Sequence, residues 1–355
     1  MAYFDLEGAE LESYRSQVKE PHDFTEFWGR TLASARDWDL GALFTPVATG
    51  LRRLTTYDVQ FSGFGGQRVR GWYLVPIECD DEGLPLGEPS TSFPVIVQYL
   101  GYGGGRGLPA DWLFWPSAGY ATFVMDTRGQ GSTWRTGDTP DGGQRPENSD
   151  GPQIPGFMTR GVLSPETSYY TRLFVDGARA VEAAALAPWA NPQALILTGV
   201  SQGGGLTLAA GALAIPGNFD GPSVAQGWER PAYTLKAAMP EVPFLCDIPR
   251  AIGLVDTDPY NEIVRFLKIH RDKISAVMRT FSYLDGVNMA GKCSLPSLFS
   301  VALMDTICPP STVYGAYNNW AGSKKIEVYP YNNHEGGQQY HQMKQVTFVG
   351  ELFGV

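Results

Sequence analysis

The sequence predicts an α/β fold, a mostly parallel central sheet flanked by helices, and three observations carry that expectation. Short apolar runs at residues 93–98, 120–125, 194–198, 236–239, 298–304 and 325–329 have the composition of strands buried on both faces. Helical periodicity fills several of the gaps between them, at residues 169–187, 203–213, 312–320 and 338–352. Strands alternating with amphipathic helices are what crossover connections between parallel strands produce.

The remaining elements follow in chain order. Residues 1–50 form a polar and aromatic lead-in, helical around 24–35. Two segments, 55–61 and 68–76, alternate with the period of a half-exposed antiparallel pair about a turn at Gly63-Phe64-Gly65-Gly66, and belong at one edge of the sheet. Residues 79–92, rich in Asp, Glu, Gly, Pro and Ser, predict a long surface loop. Between about 240 and 290, charged helical turns (260–268 and 272–283) occur with no strand between them. They predict a helical insertion over the carboxyl ends of the strands. The chain is read as a single domain carrying an amino-terminal extension (about 1–50) and this insertion.

Composition narrows the function. Hydrophobic residues make up 43% of 355, enough for a sizeable core. Lys and Arg number 27 against 37 Asp and Glu, a net charge of −10, which repels phosphate backbones and argues against a nucleic-acid partner. The longest apolar runs fall well short of the roughly 20 residues a membrane span needs. The acidic amino terminus has neither the basic nor the apolar region of a signal peptide. Cys79, Cys246, Cys293 and Cys308 are scattered without CxxC spacing, and are read as buried thiols of a cytoplasmic protein rather than disulfides or metal ligands.

The chemistry is concentrated around Gly199-Val200-Ser201-Gln202-Gly203, a G-x-S-x-G pentapeptide. Alone it is weak evidence, since chance supplies roughly 0.3 such matches in a chain of this composition. Its setting is specific: the strand at 194–198 precedes it and a helix of small residues opens behind it. That is the strand–turn–helix of the nucleophile elbow of α/β-hydrolases. Glycine on either side makes room for the turn, and the helix amino terminus faces developing negative charge.

A serine nucleophile requires a general base, and the base a carboxylate, in the chain order Ser, acid, His. Of the four histidines, His22 precedes the predicted core and His270 sits in a charged run. His334 lies in the loop after the last predicted strand and is the preferred base; His341, inside the last helical pattern, is the alternative. Asp305, at the end of the 298–304 run, is the preferred acid, with Asp285 as a substitute. The glycine run after Leu100 nominates the backbone N–H groups of Tyr102 and Gln202 as an oxyanion hole. Residues 286–293 imitate a phosphate-binding loop, but Cys293 replaces the required Ser or Thr, and the 101–105 run lacks dinucleotide spacing. No cofactor or metal is expected.

Asp126-Thr127-Arg128-Gly129-Gln130, Gly199-Val200-Ser201-Gln202-Gly203-Gly204 and His334-Glu335 resemble the RGQ, GxSQGG and HE motifs of the acetyl xylan esterase / cephalosporin C deacetylase family, carbohydrate esterase family seven. Further similarity lies at Asp23-Phe24, Phe27-Trp28, residues 156–161, 243–247 and 303–312. The resemblance implies removal of acetyl groups from small acetylated sugars and cephalosporin C. It implies Ser201, Asp305 and His334 as triad, Tyr102 and Gln202 as oxyanion hole, and Arg128 and Gln130 as residues ordering the surrounding loops. It also implies an intracellular, ring-like homo-hexamer. Two positions depart from the family pattern: Leu100 stands where His is usual, and Val200 where Gly is frequent. Within enzymes the rival readings are a peptidase or lipase on the same scaffold; outside them, a catalytically inert hydrolase fold that binds ligands.

Overall fold

The computed structural model describes residues 3–87, 91–142, 151–219 and 230–354. Helices α1 (Ala9–Ser13) and α2 (Phe24–Arg36) precede the sheet. Its strands are β1 (Leu43–Pro46), β2 (Thr55–Ser62), β3 (Arg68–Val75), β4 (Phe93–Tyr99), β5 (Ala121–Met125), β6 (Ala190–Val200), β7 (Leu235–Glu241), β8 (Ser297–Ala302) and β9 (Lys324–Tyr329). They lie in the order β1-β2-β3-β5-β4-β6-β7-β8-β9. From β5 to β9 all neighbours are parallel, while β1, β2 and β3 add an antiparallel edge that joins β5 through β3. Helices α3 (Phe114–Ser117), α4 (Tyr169–Ala185) and α5 (Gln202–Leu213) lie in the first connections. Helices α6 (Ile248–Leu254), α7 (Tyr260–Ile269), α8 (Ile274–Leu284) and α9 (Gly286–Ala290) separate β7 from β8, and α10 (Pro310–Asn319) and α11 (Gln338–Phe353) flank β9. This is the α/β-hydrolase arrangement that the elbow motif predicts.

The differences from the sequence reading have local causes. Strand β1 was not expected; it is four residues long and gains order only by pairing with β2. Strand β6 begins at Ala190 rather than 194, because Ala190 pairs with Phe93 of β4 before the apolar run starts. Strand β8 ends at Ala302, so Asp305 stands in the turn beyond it and not at the strand end. Part of the expected 79–92 loop, residues 88–90, lies outside the described residues.

The helices sort by how much of their circumference is apolar. Helix α5 is buried along its whole length and is small-residue and apolar all round, as a helix enclosed by sheet and neighbours must be. Helix α4 buries all but one of its residues and packs against α5 and β6. The amino-terminal segment is part of this core: Phe24, Phe27 and Trp28 are buried, and Phe27 and Tyr283 place their ring centroids 4.8 Å apart. The indole of Trp28 donates to the Tyr283 carbonyl at 3.1 Å. Helix α8 therefore holds α2 in place through Tyr283.

Among the many buried polar groups, two bear on stability. Glu182 of α4 accepts from Arg36 of α2 at 2.9 Å and from Arg179 at 2.7 Å, and all three side chains are buried. On the other face, His341 of α11 is fully buried, with Nδ1 3.1 Å from the Tyr329 hydroxyl and Nε2 without a hydrogen-bond partner. Burial pushes its imidazole down to about 4, so it stays neutral through the physiological range.

Replacing Glu182 with Ala leaves two guanidinium groups in the interior without their shared carboxylate. Urea unfolding is expected to show a loss of about 3–5 kcal/mol. For His341 the unfolded chain takes up a proton near pH 6.5 that the folded chain refuses until about pH 4. Its contribution is therefore complete above pH 6.5 and is lost as the pH falls toward 4. In thermal melts from pH 7 to pH 4, His341→Phe should show a shallower loss of melting temperature than the native chain. Identical slopes would exclude His341 as a source of acid sensitivity.

Candidate active site

The site is assembled from three turns at the carboxyl ends of parallel strands. Ser201 follows β6 with φ 60° and ψ −119°, a strained conformation for a residue bearing a side chain. Close packing holds it there. A Cβ on Gly203 would stand 2.4 Å from the Tyr99 carbonyl oxygen, so only glycine lets the elbow approach β4. The Ser201 N–H donates to the Glu241 carbonyl of β7 at 2.9 Å, and its own carbonyl accepts from Gly205 and Phe244. The hydroxyl projects at the base of α5.

Opposite it lies the loop between β9 and α11. His334 Nε2 is 2.9 Å from Ser201 Oγ, and His334 Nδ1 is 2.8 Å from Asp305 Oδ2. Asp305 is fully buried, and its second oxygen accepts the backbone N–H groups of Ile307 and Cys308, each at 2.8 Å. The carboxylate thus stays satisfied while presenting one oxygen to the imidazole. Asn333 ties the two turns together: its side-chain oxygen accepts from the backbone N–H of His334 and of Thr306. Glu335 braces the same loop from Asn332 Nδ2 and the Asn333 N–H. The structure brings Ser201, His334 and Asp305 into one hydrogen-bonded line; His341 and Asp285 lie outside it. Asp285 instead caps α9 and accepts from the N–H groups of Asp247 and Ile248.

The two nominated backbone donors share one organiser. Gln130 Oε1 accepts the Gly103 N–H at 2.6 Å, while its Nε2 donates to Tyr169 Oη and to Gln202 Oε1 at 2.9 and 2.8 Å. Gln202 in turn donates to the Leu100 carbonyl at 3.2 Å. One buried amide therefore links the glycine loop after β4 to the first residue of α5, whose N–H has no partner within its helix. Arg128 secures this arrangement from behind. Its guanidinium forks onto the buried Asp176 and donates to Gln67 Oε1 at 2.7 Å, and its carbonyl accepts from Tyr169 Oη.

Two contributors have no signal in the sequence. Tyr102 donates its hydroxyl to Glu262 Oε1 at 2.7 Å and accepts from the Phe157 N–H at 2.9 Å, while Glu262 Oε2 accepts from Met158. Burial pushes the Glu262 carboxyl upward, opposed by those hydrogen bonds. Helix α7 thereby grips the glycine loop from the insertion side. Trp134 is the second: its indole N–H donates to the Tyr102 carbonyl at 2.8 Å. Neither Glu262 in a charged helical run nor a lone Trp beyond the RGQ segment stands out before folding.

Both departures from the family pattern find places. Leu100 is buried with Leu74, Trp112 and Val124, so an apolar side chain suits its position and only its carbonyl faces the network. Val200, the residue of the elbow just before Ser201, is 39% exposed and its side chain lines the cavity above the nucleophile. That cavity measures about 470 Å³ and is bounded mainly by apolar groups, among them Trp134, Pro259 and Ile307. Among the described residues, the one group of metal-ligating side chains close enough to share an ion is Asp305, Cys308 and His334. Its Asp and His are already committed to each other. All four cysteines are buried and unpaired, and no helix among the described residues is long and apolar enough to cross a membrane.

The chain is similar to several known proteins. An acetyl xylan esterase from Paenibacillus sp. R4 superposes with a TM-score of 0.80 at 32% identity, covering 98% of this chain and 99% of that one. Acetyl xylan esterase 1 from Thermoanaerobacterium sp. JW/SL YS485 superposes equally well, TM-score 0.80, at 28% identity over 99% of this chain and all of the other. Acetyl esterase Axe7A of Xylanibacter ruminicola is 22% identical over 342 residues, 92% of this chain but 66% of that longer protein. The family model for acetyl xylan esterase (AXE1) matches residues 1–352, and the chain belongs to that family.

Proposed function

We propose that this protein is a serine esterase that removes acetyl groups from small acetylated substrates, acetylated xylo-oligosaccharides and cephalosporin C among them. The observation that carries the reading is the line Asp305–His334–Ser201, with spacings of 2.8 and 2.9 Å, at the floor of a cavity open to solvent. In this reading His334 takes the hydroxyl proton as Ser201 attacks the acetyl carbonyl, and Asp305 holds the imidazole in the tautomer that leaves Nε2 free to accept. The carbonyl oxygen gains negative charge and rests on the N–H groups of Tyr102 and Gln202. The tetrahedral intermediate collapses, His334 returns the proton to the departing sugar oxygen, and acetyl-Ser201 remains. Water, deprotonated by the same imidazole, then releases acetate and regenerates the hydroxyl.

Family membership supports acetyl esters as substrates. The reduced, buried cysteines agree with residence in the cytoplasm. The ring-like hexamer rests on family resemblance, and its test is the mass of the protein in solution by light scattering.

Two outcomes test the mechanism. Ser201→Ala should abolish turnover of 4-nitrophenyl acetate while leaving the thermal melt intact, and undiminished hydrolysis would remove Ser201 from the reaction. Gln130→Ala frees both oxyanion peptides to drift, and misplacement on the ångström scale costs about 10²-fold. That loss is expected in kcat, with KM little changed, because the charge it serves appears only in the transition state.

A further inference from the structure

Beside the Ser201 cavity lies a second one, of about 270 Å³, and Gly101, Trp134 and Val200 line both. The walls differ in chemistry. The first is bounded chiefly by apolar groups. The second adds Trp112 and Phe114 to Trp134 and sets Asp111 and Arg135 among them. Aromatic surface combined with a few forked polar groups is the chemistry that suits a sugar ring. Its C–H face lies on the exposed Trp134 indole, Trp112 being buried beneath Arg135, and its hydroxyls meet carboxylate and guanidinium.

The polar groups are held in place and remain accessible. The Arg135 guanidinium sits 4.4 Å from the Trp112 ring centroid and 5.1 Å from that of Trp134, with Nε 3.4 Å from Asp111 Oδ2. The side chains of Arg135 and Asp111 keep 25% and 35% of their surface open to solvent. Trp134 is fixed too. Its indole N–H is bonded to the Tyr102 carbonyl, and its ring lies so close over Gly104 that a Cβ there would come within 2.2 Å. Because these groups are already ordered in the free protein, a ligand seated on them does not bear the entropy of arranging them.

We propose that this second cavity is a subsite for the pyranose unit adjacent to the acetylated one, so that the enzyme reads two sugar residues across the Trp134–Val200 partition. The inference rests on the deacetylase reading above and extends it. At about 270 Å³ the cavity falls below the range of about 300–1,000 Å³ common for drug-sized ligands, which fits a single ring rather than a longer chain.

The test compares acetate release from a monoacetylated methyl xyloside and the matching monoacetylated methyl xylobioside, alongside 4-nitrophenyl acetate. The two-ring substrate is expected to show a kcat/KM about tenfold higher, through a lower KM, the equivalent of about 1.4 kcal/mol. Filling the cavity from α11 with Gln342→Trp, or removing its cation with Arg135→Ala, should bring the two sugar substrates to equal kcat/KM. The ratio is read within each protein, so a general change in turnover cancels. Equal values in the native enzyme, or a tenfold preference surviving in both variants, overturns the subsite and leaves the deacetylase standing. Cleavage of 4-nitrophenyl acetate but of neither sugar ester overturns the carbohydrate reading as well. Failure on all three esters overturns the esterase assignment itself.

Discussion

Ser201 occupies φ 60° and ψ −119°, and much of the site's construction serves to hold it there. Such a conformation costs of order 1–3 kcal/mol and survives only where surrounding packing over-determines it. Here the packing is the contact of Gly203 with the Tyr99 carbonyl and the capture of the Ser201 N–H and carbonyl by β7 and the segment after it. The strain positions the hydroxyl above the sheet, within 2.9 Å of His334. Without it the hydroxyl would leave the reach of His334 Nε2, and the imidazole would keep only Asp305.

Around that fixed point the protein uses buried amides and carboxylates to coordinate loops that are distant in sequence. Gln130, Gln202, Tyr169 and Arg128 form a continuous path from the glycine loop to the head of α5 and back to Asp176 on α4. Each member has its polar groups met within the path or by a neighbour such as Gln67 or the Leu100 carbonyl, which is the condition under which buried polar groups rigidify a structure instead of weakening it. Tyr102 carries the path into the helical insertion through Glu262. The insertion is thus joined to the chemistry, and α8 extends it to α2 through Tyr283.

Trp134 marks where stability and recognition meet. Its indole N–H secures the Tyr102 peptide while its ring borders both cavities. In the proposed two-ring reading, this rigid aromatic surface next to Ser201 is what a remote sugar unit would bind. The same indole requires glycine at position 104, which accounts for one residue of the glycine run after β4.

Much of this was legible before folding. The apolar runs located the parallel strands, and the elbow followed from a strand–glycine–helix pattern whose spacing is set by local sterics. Chain order singled out Asp305 and His334, and the structure brings both to Ser201. What the sequence could not disclose depends on partners far along the chain. Strand β1 exists only because β2 is beside it, and Asp305 stands in a turn stabilised by its own backbone contacts rather than at a strand end. Leu100 is accommodated by an apolar cluster drawn from three separate segments. Glu262, Trp134 and the second cavity emerge only when remote surfaces meet. Local preference fixes where an element begins and which residue can sit in a strained turn; tertiary packing alone decides which side chains share a wall.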